Sequence, residues 1–266
     1  MKNADCELLE NVCINSEIFR LDFAWDGLLP KAGQFFMIKP KRSSVFLGRP
    51  ISVAAWYPEK PGGHSGSLSF LIEKIGKGTK ELADLCPGEK SELTGPLGNA
   101  WVDFLPQNLS GIKPVALIGG SLGLAPLCAL LQKNTDVACN FHLYAGFRTA
   151  LKTEKERAAI LGAGNTEKAN LIVATEDGTW GNRGHITDFL EPEKYSAVCT
   201  CGPQAMMKTV AQKCAAVGVP CFVSMDQRMA CGVGACLGCT VKTLSGNRRC
   251  CADGPIFDAR EIIFDE

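Results

Sequence analysis

The stretch KPVALIGGSLGLAPLCALLQK, residues 113–133, decides the fold. It opens on a short apolar run, Val115 to Ile118, of the kind a buried strand carries. Glycines follow, and Leu124 onward reads as a helix. Strand, glycine turn and helix in that order begin a βαβ unit. The alternation continues toward the C-terminus. NFHLYAGFR, NLIVATED, YSAVCTCGP and PCFVSM read as strands, with PCFVSM the last. TEKERAAILG, HITDFLE and QAMMKTVAQKCAAVG read as the helices between them. Such alternation predicts a parallel, doubly wound α/β sheet, in which ligands bind beyond the carboxyl ends of the strands.

Toward the N-terminus the pattern is different. EIFRLDF, GQFFMIK, RPISVAAW and GSLSFLIEKI are β-rich apolar runs separated by glycine and proline. GTKELADL is one short helix among them, and CPGEKSELTGPLGNAW returns to strand and turn. The loop-like YPEKPGGHSGS (57–67) reads as a hairpin tip. Many short strands with one helix predict a small β-barrel. The expected order is a barrel over 1–105, an α/β domain over 106–223 and a cysteine-rich segment over 224–266.

The chain is 46% apolar and 21% charged with a formal net charge of zero, which gives no reason to invoke nucleic acid or a membrane surface. No run reaches the roughly 18 apolar residues of a membrane span. The start, MKNADCELLENVC, lacks an apolar signal core. These features point to a reducing cytoplasm. There the 14 cysteines are free, reactive or metal-bound rather than paired in disulfides.

Five of those cysteines lie in ACGVGACLGCTVKTLSGNRRCC, residues 230–251, with no histidine among them. Structural zinc sites usually pair their ligands as two short loops. Here Cys231, Cys236 and Cys239 stand at C-x4-C-x2-C, and the next cysteine is remote. Three close and one remote is the plant-type ferredoxin spacing for a 2Fe–2S cluster. Gly232, Gly234 and Gly238 allow turns that bring bare N–H groups toward sulfide. If the pair Cys250–Cys251 ends a strand, its side chains point to opposite faces and only one reaches the cluster. Spacing alone does not choose between them. The other cysteines, Cys201 apart, read as small apolar residues.

Further motifs suggest nucleotides. RPIS, residues 49–52, offers Arg49 to a phosphate and Ser52 to a flavin ring. Alone it reads better as a strand with one surface arginine. In LIEKIGKGTKEL (71–82), Gly76 and Gly78 clear space before Thr79 and a helix start, an arrangement suited to pyrophosphate. A glycine turn with a threonine cap is the competing reading. The two motifs in one barrel predict a flavin dinucleotide. Gly119, Gly120 and Gly123 let a second pyrophosphate approach the next helix. Cys201 ends a strand where a side chain can face the ligand crevice, near a nicotinamide, and Gly202 and Pro203 shape the turn after it. Glu176 and Asp177 end another strand and read equally as part of a solvated loop; if they border the ribose they disfavour a 2′-phosphate, which predicts NAD over NADP. The three histidines are scattered, so none is assigned to catalysis.

R-P-I-S, G-K-G-T, G-G-S-L-G-L-A-P and C-G-P follow the order of the ferredoxin–NADP reductase superfamily. The tail, MACGVGACLGCTVKT through CCADGPIF, narrows the resemblance to the electron-transfer subunits of NAD-dependent dihydroorotate dehydrogenases. It covers essentially the whole chain. The family pattern ends in cysteine, any residue, then D-G-P, which implies Cys251 as the fourth cluster ligand. The same matching implies FAD contacts from Arg49, Pro50, Ile51 and Ser52, from Leu71, Ile72 and Glu73, and from Gly78 and Thr79. Serine at 121 and an insertion near 58–66 depart from the pattern. The resemblance implies an oxidoreductase subunit of pyrimidine biosynthesis. An FMN-containing partner would oxidise dihydroorotate, electrons would cross the 2Fe–2S cluster to FAD, and NAD+ would receive a hydride. It also implies a heterotetramer of two of each subunit. A ferredoxin or hydrogenase reductase subunit is the rival enzyme reading, and a nucleotide-binding redox sensor is the non-enzyme one.

Overall fold

The computed structural model describes residues 1–58, 66–105, 113–133, 141–162 and 169–264. Six strands close the N-terminal barrel: β1 (Lys2–Cys13), β2 (Ile18–Trp25), β3 (Phe35–Pro40), β4 (Arg49–Tyr57), β5 (Gly66–Glu73) and β6 (Lys90–Leu97). Their order around the barrel is β1-β2-β5-β4-β3-β6. Closure leaves no edge strand to be protected. In β2 the buried positions Leu21, Phe23 and Trp25 alternate with partly exposed ones, as a strand with one inward face requires. Phe36 stacks edge-on against both Trp25 and Phe70 at the centre. Replacing such a fully buried ring by alanine costs about 3–5 kcal/mol. The twelve-residue β1 falls where no strand was expected. Its mixture of charges and apolar residues hides the alternation. Helix α1 (Lys77–Ala83) follows β5. The expected hairpin tip at 57–67 lies largely outside the described residues, although β4 and β5 pair up to Tyr57 and Ser67.

The second sheet has the order β10-β9-β8-β7-β11-β12-β15. Its strands are β7 (Val115–Gly120), β8 (Phe141–Phe147), β9 (Asn170–Thr175), β10 (Asn182–Arg183), β11 (Ala197–Cys201), β12 (Cys221–Ser224) and β15 (Ile256–Asp258). The first six pair in parallel, and β7 is buried along its whole length, as a central parallel strand is. Helices α2 (Leu124–Lys133), α3 (Glu154–Leu161) and α4 (Gln204–Ala216) connect them. HITDFLE forms only a short 3-10 turn at Ile186–Phe189, too short for the expected helix.

The sheet does not end with PCFVSM. The chain leaves β12, forms the cysteine loop and the hairpin β13 (Thr240–Thr243) and β14 (Gly246–Arg249), then makes one helical turn, α5 (Cys250–Asp253). It returns as β15, antiparallel to β12. The cysteine segment is therefore stitched into the sheet at both its ends.

Barrel and sheet share one hydrophobic core, which runs from Phe36 and Trp101 through Leu124 and Leu127 to Leu117 and Leu143. Trp101 is fully buried and donates its indole N–H to the Pro126 carbonyl in α2. Among the described residues, no helix is long and apolar enough to cross a membrane.

Candidate functional site

The cysteine loop brings four sulfurs together. Cys231 Sγ accepts from the N–H groups of Val233 (3.5 Å) and Cys236 (3.4 Å). Cys236 Sγ accepts from Gly238 (3.5 Å). Cys239 Sγ accepts from Cys251 (3.4 Å), and Cys251 Sγ from Gly234 (3.1 Å). A backbone N–H thus faces every one of the four sulfurs. The N–H groups of Val233 and Cys236 hold the Cys231 thiol down to about 6. The chain achieves this with left-handed turns at Gly232 (φ 69°) and Gly234 (φ 80°). Leu237 also lies there, at φ 61°, a costly conformation for a branched side chain.

The pair Cys250–Cys251 opens a helical turn, so the strand-end condition is not met. Successive helical residues still diverge by about 100°. Cys250 is fully buried and donates to the Met225 carbonyl (3.1 Å), away from the loop. Cys251 is buried against the loop.

The four thiols stand as two neighbouring pairs, Cys231 with Cys236 and Cys239 with Cys251. Among the described residues, no three His, Cys, Asp or Glu side chains converge on one metal-ion position. Burial pushes the Cys251 thiol up to about 12, and two pairs of cysteine sulfurs are the donor set that four-cysteine ligation of two irons uses. The residues therefore fit a binuclear cluster. Cys239 and Cys251 are buried while Cys236 is exposed, so one side of the site opens to solvent.

The flavin motifs sit on adjoining barrel strands. Residues 49–52 of β4 are all half-buried, with Ile51 packed against the core and the strand otherwise partly open. The Arg49 guanidinium lies across Gly78. A Cβ on Gly78 would fall 2.5 Å from Arg49 Nε, so the bare glycine makes the cradle. Arg49 Nη1 also donates to the carbonyls of Leu47 (3.1 Å) and Gly48 (3.2 Å). The Thr79 hydroxyl is occupied within its turn, accepting from Ile75 and Gly76 N–H at 3.1 Å. Only seven residues follow the turn in α1, too few for a strong macrodipole. Anion binding at this cradle therefore falls mainly on Arg49. Leu71 and Ile72 are buried and Glu73 half-buried on β5. The open strand, the cradle and the guanidinium fit a flavin dinucleotide.

The nucleotide crevice lies between β7 and β11. The chain leaves β7 toward β8 on one side and leaves β11 toward β12 on the other, so this is the switch point of the sheet. In register, Gly119 stands beside Cys201, which stands beside Ser224. Gly123 backs onto the Cys201 carbonyl so closely that any Cβ would overlap it. Gly120 packs against Pro203, and Gly202 against Gly120. Burial pushes the Cys201 thiol up to about 12, so it is neutral near pH 7 although the residue is only half-buried. Ser121, within the glycine turn, takes the left-handed conformation, φ 50°. Glu176 and Asp177 lie after β9, two strands from β7. Asp177 accepts from the Thr179 N–H (3.0 Å) and hydroxyl (2.6 Å), which hold its carboxyl down to about 2. Glu176 faces His185 at 4.0 Å. Because β7, β8 and β9 run parallel, these acids stand at the same carboxyl edge as Gly119, Gly120, Gly123, Cys201, Gly202 and Pro203, two strands to one side.

The cluster loop rests on the flavin side of the barrel. A Cβ on Gly232 would fall 2.7 Å from Met37 Cγ, and Met37 pairs with Pro50 of RPIS. Loop and flavin strand are therefore one strand apart, a spacing of about 4.8 Å between neighbours.

Comparisons with known proteins agree with this geometry. Residues 226–263 match the family model described as the iron–sulfur cluster binding domain of dihydroorotate dehydrogenase B. A Clostridium acetobutylicum protein named dihydroorotate dehydrogenase B (NAD(+)), electron transfer subunit, is 37% identical, over 98% of this chain and 97% of its own. A Caldanaerobacter subterraneus protein of the same name is 35% identical, over 97% of each. The chain belongs to the dihydroorotate dehydrogenase B electron transfer subunit family. A solved chain from work on NADH-dependent reduced ferredoxin-NADP oxidoreductase superposes on this family member with a TM-score of 0.79 at 26% identity, over 98% of this chain and 91% of the other. A Neisseria gonorrhoeae ferredoxin NADP+ reductase shares the fold, with a TM-score of 0.62 at 17% identity over 82% and 92%.

This electron transfer subunit also uses residues that sequence reasoning missed. Arg249 forms a bidentate pair with Asp253 (3.0 and 2.9 Å) and reaches the Gly234 carbonyl (3.4 Å), which ties α5 to the cluster loop. Asn99 exchanges hydrogen bonds with Ile256 (2.8 and 2.9 Å) and fastens the barrel to the cluster segment. The signal was present for Arg249, four residues before Asp253. Asn99 and Ile256 are 157 residues apart, and no local pattern links them.

Proposed function

We propose that this chain carries electrons between an FMN-containing, dihydroorotate-oxidising partner subunit and NAD+ in pyrimidine biosynthesis. When bound, FAD exchanges electrons singly or in pairs, the 2Fe–2S cluster exchanges one at a time, and NAD+ accepts a hydride. Cys231, Cys236, Cys239 and Cys251 hold the cluster, and the facing N–H groups stabilise its charge. Arg49 grips the FAD pyrophosphate over Gly78, while Pro50, Ile51 and Ser52 line the flavin with the β5 segment Leu71–Glu73. Thr79 holds the turn in shape through its hydroxyl. Gly119, Gly120 and Gly123 admit the NAD pyrophosphate at the switch point. Gly202 and Pro203 shape the crevice, and Cys201 places a neutral thiol beside the nicotinamide. The working complex is a cytoplasmic heterotetramer of two of each subunit.

The contact of Gly232 with Met37, beside Pro50, carries this reading. It sets the cluster loop against the flavin strand, while exposed Cys236 faces outward toward a partner. The likeness to the ferredoxin-NADP oxidoreductase chain favours a second reading, in which the partner is a ferredoxin-linked subunit. Purification with untagged partners separates the two. Recovery of a dihydroorotate-oxidising subunit that reduces NAD+ only in the complex supports the first reading, and recovery of a ferredoxin-reducing complex supports the second.

A further inference from the structure

Phe46 is 88% exposed, the most exposed large apolar side chain among the described residues. Its loop is nonetheless held firmly. Ser43 Oγ donates to Glu81 Oε2 (2.6 Å), and the Ser44 hydroxyl and N–H reach the other oxygen of the same carboxylate. At its far end the loop carbonyls of Leu47 and Gly48 receive Arg49. The loop is thus strapped to α1 on one side and to the proposed phosphate-binding arginine on the other. Fixing an aromatic ring in water has no folding benefit of its own, since nothing is buried by it. Lys39 lies over the ring at 5.6 Å, which occupies one face.

We propose that Phe46 is the stacking platform for the adenine of FAD. The proposal rests on the reading of Arg49 as the pyrophosphate clamp. A flavin dinucleotide is linear in its parts: ring system, pyrophosphate, adenosine. The chain offers matching parts in the same order along β4 and the loop before it. Ser52 lies toward the flavin, Arg49 at the pyrophosphate and Phe46 beyond it. From Ser52 to Arg49 is about 10 Å at strand rise, and three more residues lead to Phe46. Adenine has apolar faces and a polar rim, so it covers an aromatic ring while its edges stay in water. Stacking of this kind is insensitive to rim hydrogen bonds. Glu81, through Ser43 and Ser44, acts as a positioning residue for the loop.

The test compares FAD with FMN, which has the flavin and one phosphate but no adenine. Binding of each to the deflavinated full-length chain is followed by flavin fluorescence. Phe46→Ala is expected to weaken FAD about 10-fold and leave FMN within about twofold, a loss in the range of one base stack. Phe46→Tyr should restore FAD affinity. Equal weakening of FAD and FMN by Phe46→Ala, or no weakening of either, would overturn the adenine platform. Loss of both flavins with Arg49→Ala, while Phe46→Ala has no effect, would leave the clamp standing and sink only the platform. A wild-type chain that takes up neither flavin would overturn the clamp itself, and the platform with it.

Discussion

The cluster loop and the nucleotide crevice are built in opposite ways. The loop specifies its ligand with side chains: four sulfurs, each met by a backbone N–H within 3.5 Å. The crevice specifies its ligand with what is missing. Gly119, Gly120, Gly123 and Gly202 clear a space at the switch point, and the nearest thiol, Cys201, is half-buried and neutral. Both regions contain a non-glycine residue with positive φ, Leu237 in one and Ser121 in the other, and the described residues contain no others. Strain of this kind gathers at functional turns. A site made of donors should fail completely when one donor is lost. A site made of space should fail when anything is added.

The largest effect tests the donor site. Cys251→Ala should abolish the cluster, taking iron from about two per chain to background and bleaching its visible spectrum. Cys250→Ala should keep the iron, because that thiol is spent on the Met225 carbonyl. Its cost should appear in thermal stability alone. The reverse pattern would exchange the roles of the two residues.

Adding one carbon tests the space site. Gly123→Ala would drive a methyl group into the Cys201 carbonyl. NADH-dependent dye reduction should fall at least 10-fold through KM, with iron and FAD content unchanged. Normal KM in this variant would show that the crevice does not bind NADH.

A smaller effect concerns the acids after β9. Glu176 and Asp177 are expected to give NADH an advantage over NADPH, although they lie two strands from β7. Asp177 is already engaged by Thr179, so Glu176→Gln should narrow the preference more than Asp177→Asn. Steady-state kinetics with both nucleotides measure this. The smallest effect is at Ser121. Relief of the left-handed strain, about 1 kcal/mol, is offset by the extra chain entropy of glycine, about 0.5 kcal/mol. Ser121→Gly should gain about 0.5 kcal/mol in denaturant unfolding and leave the cluster spectrum untouched.

The same contrast explains what the sequence made legible. Cysteine spacing is local, so Cys231, Cys236 and Cys239 could be read directly. The choice of Cys251 over Cys250 needed the family pattern, because both answers satisfy the spacing. Their side chains diverge through helical geometry rather than at a strand end, since α5 begins at Cys250. Strands β7 and β11 with their glycine turns were legible because a buried parallel strand is a continuous apolar run. Strand β15 was not, because three residues carry no period and their pairing with β12 is made by chain returning from the cluster loop. The Asn99 latch was out of reach for the same reason. The cradle at Gly78 was foreseen as space, but its occupant, the Arg49 guanidinium, is known only from the fold. The Thr79 hydroxyl is spent within its turn, as the threonine-cap reading of that stretch has it.

The central claim is a division of labour: this chain exchanges electrons with NAD(H), and a partner oxidises the substrate. Its most direct test is an anaerobic assay of the isolated, cluster-loaded chain with two donors. With NADH and a dye acceptor it should turn over. With dihydroorotate and NAD+ it should form no orotate until the FMN-containing subunit is added. Orotate formation by the isolated chain would contradict the claim.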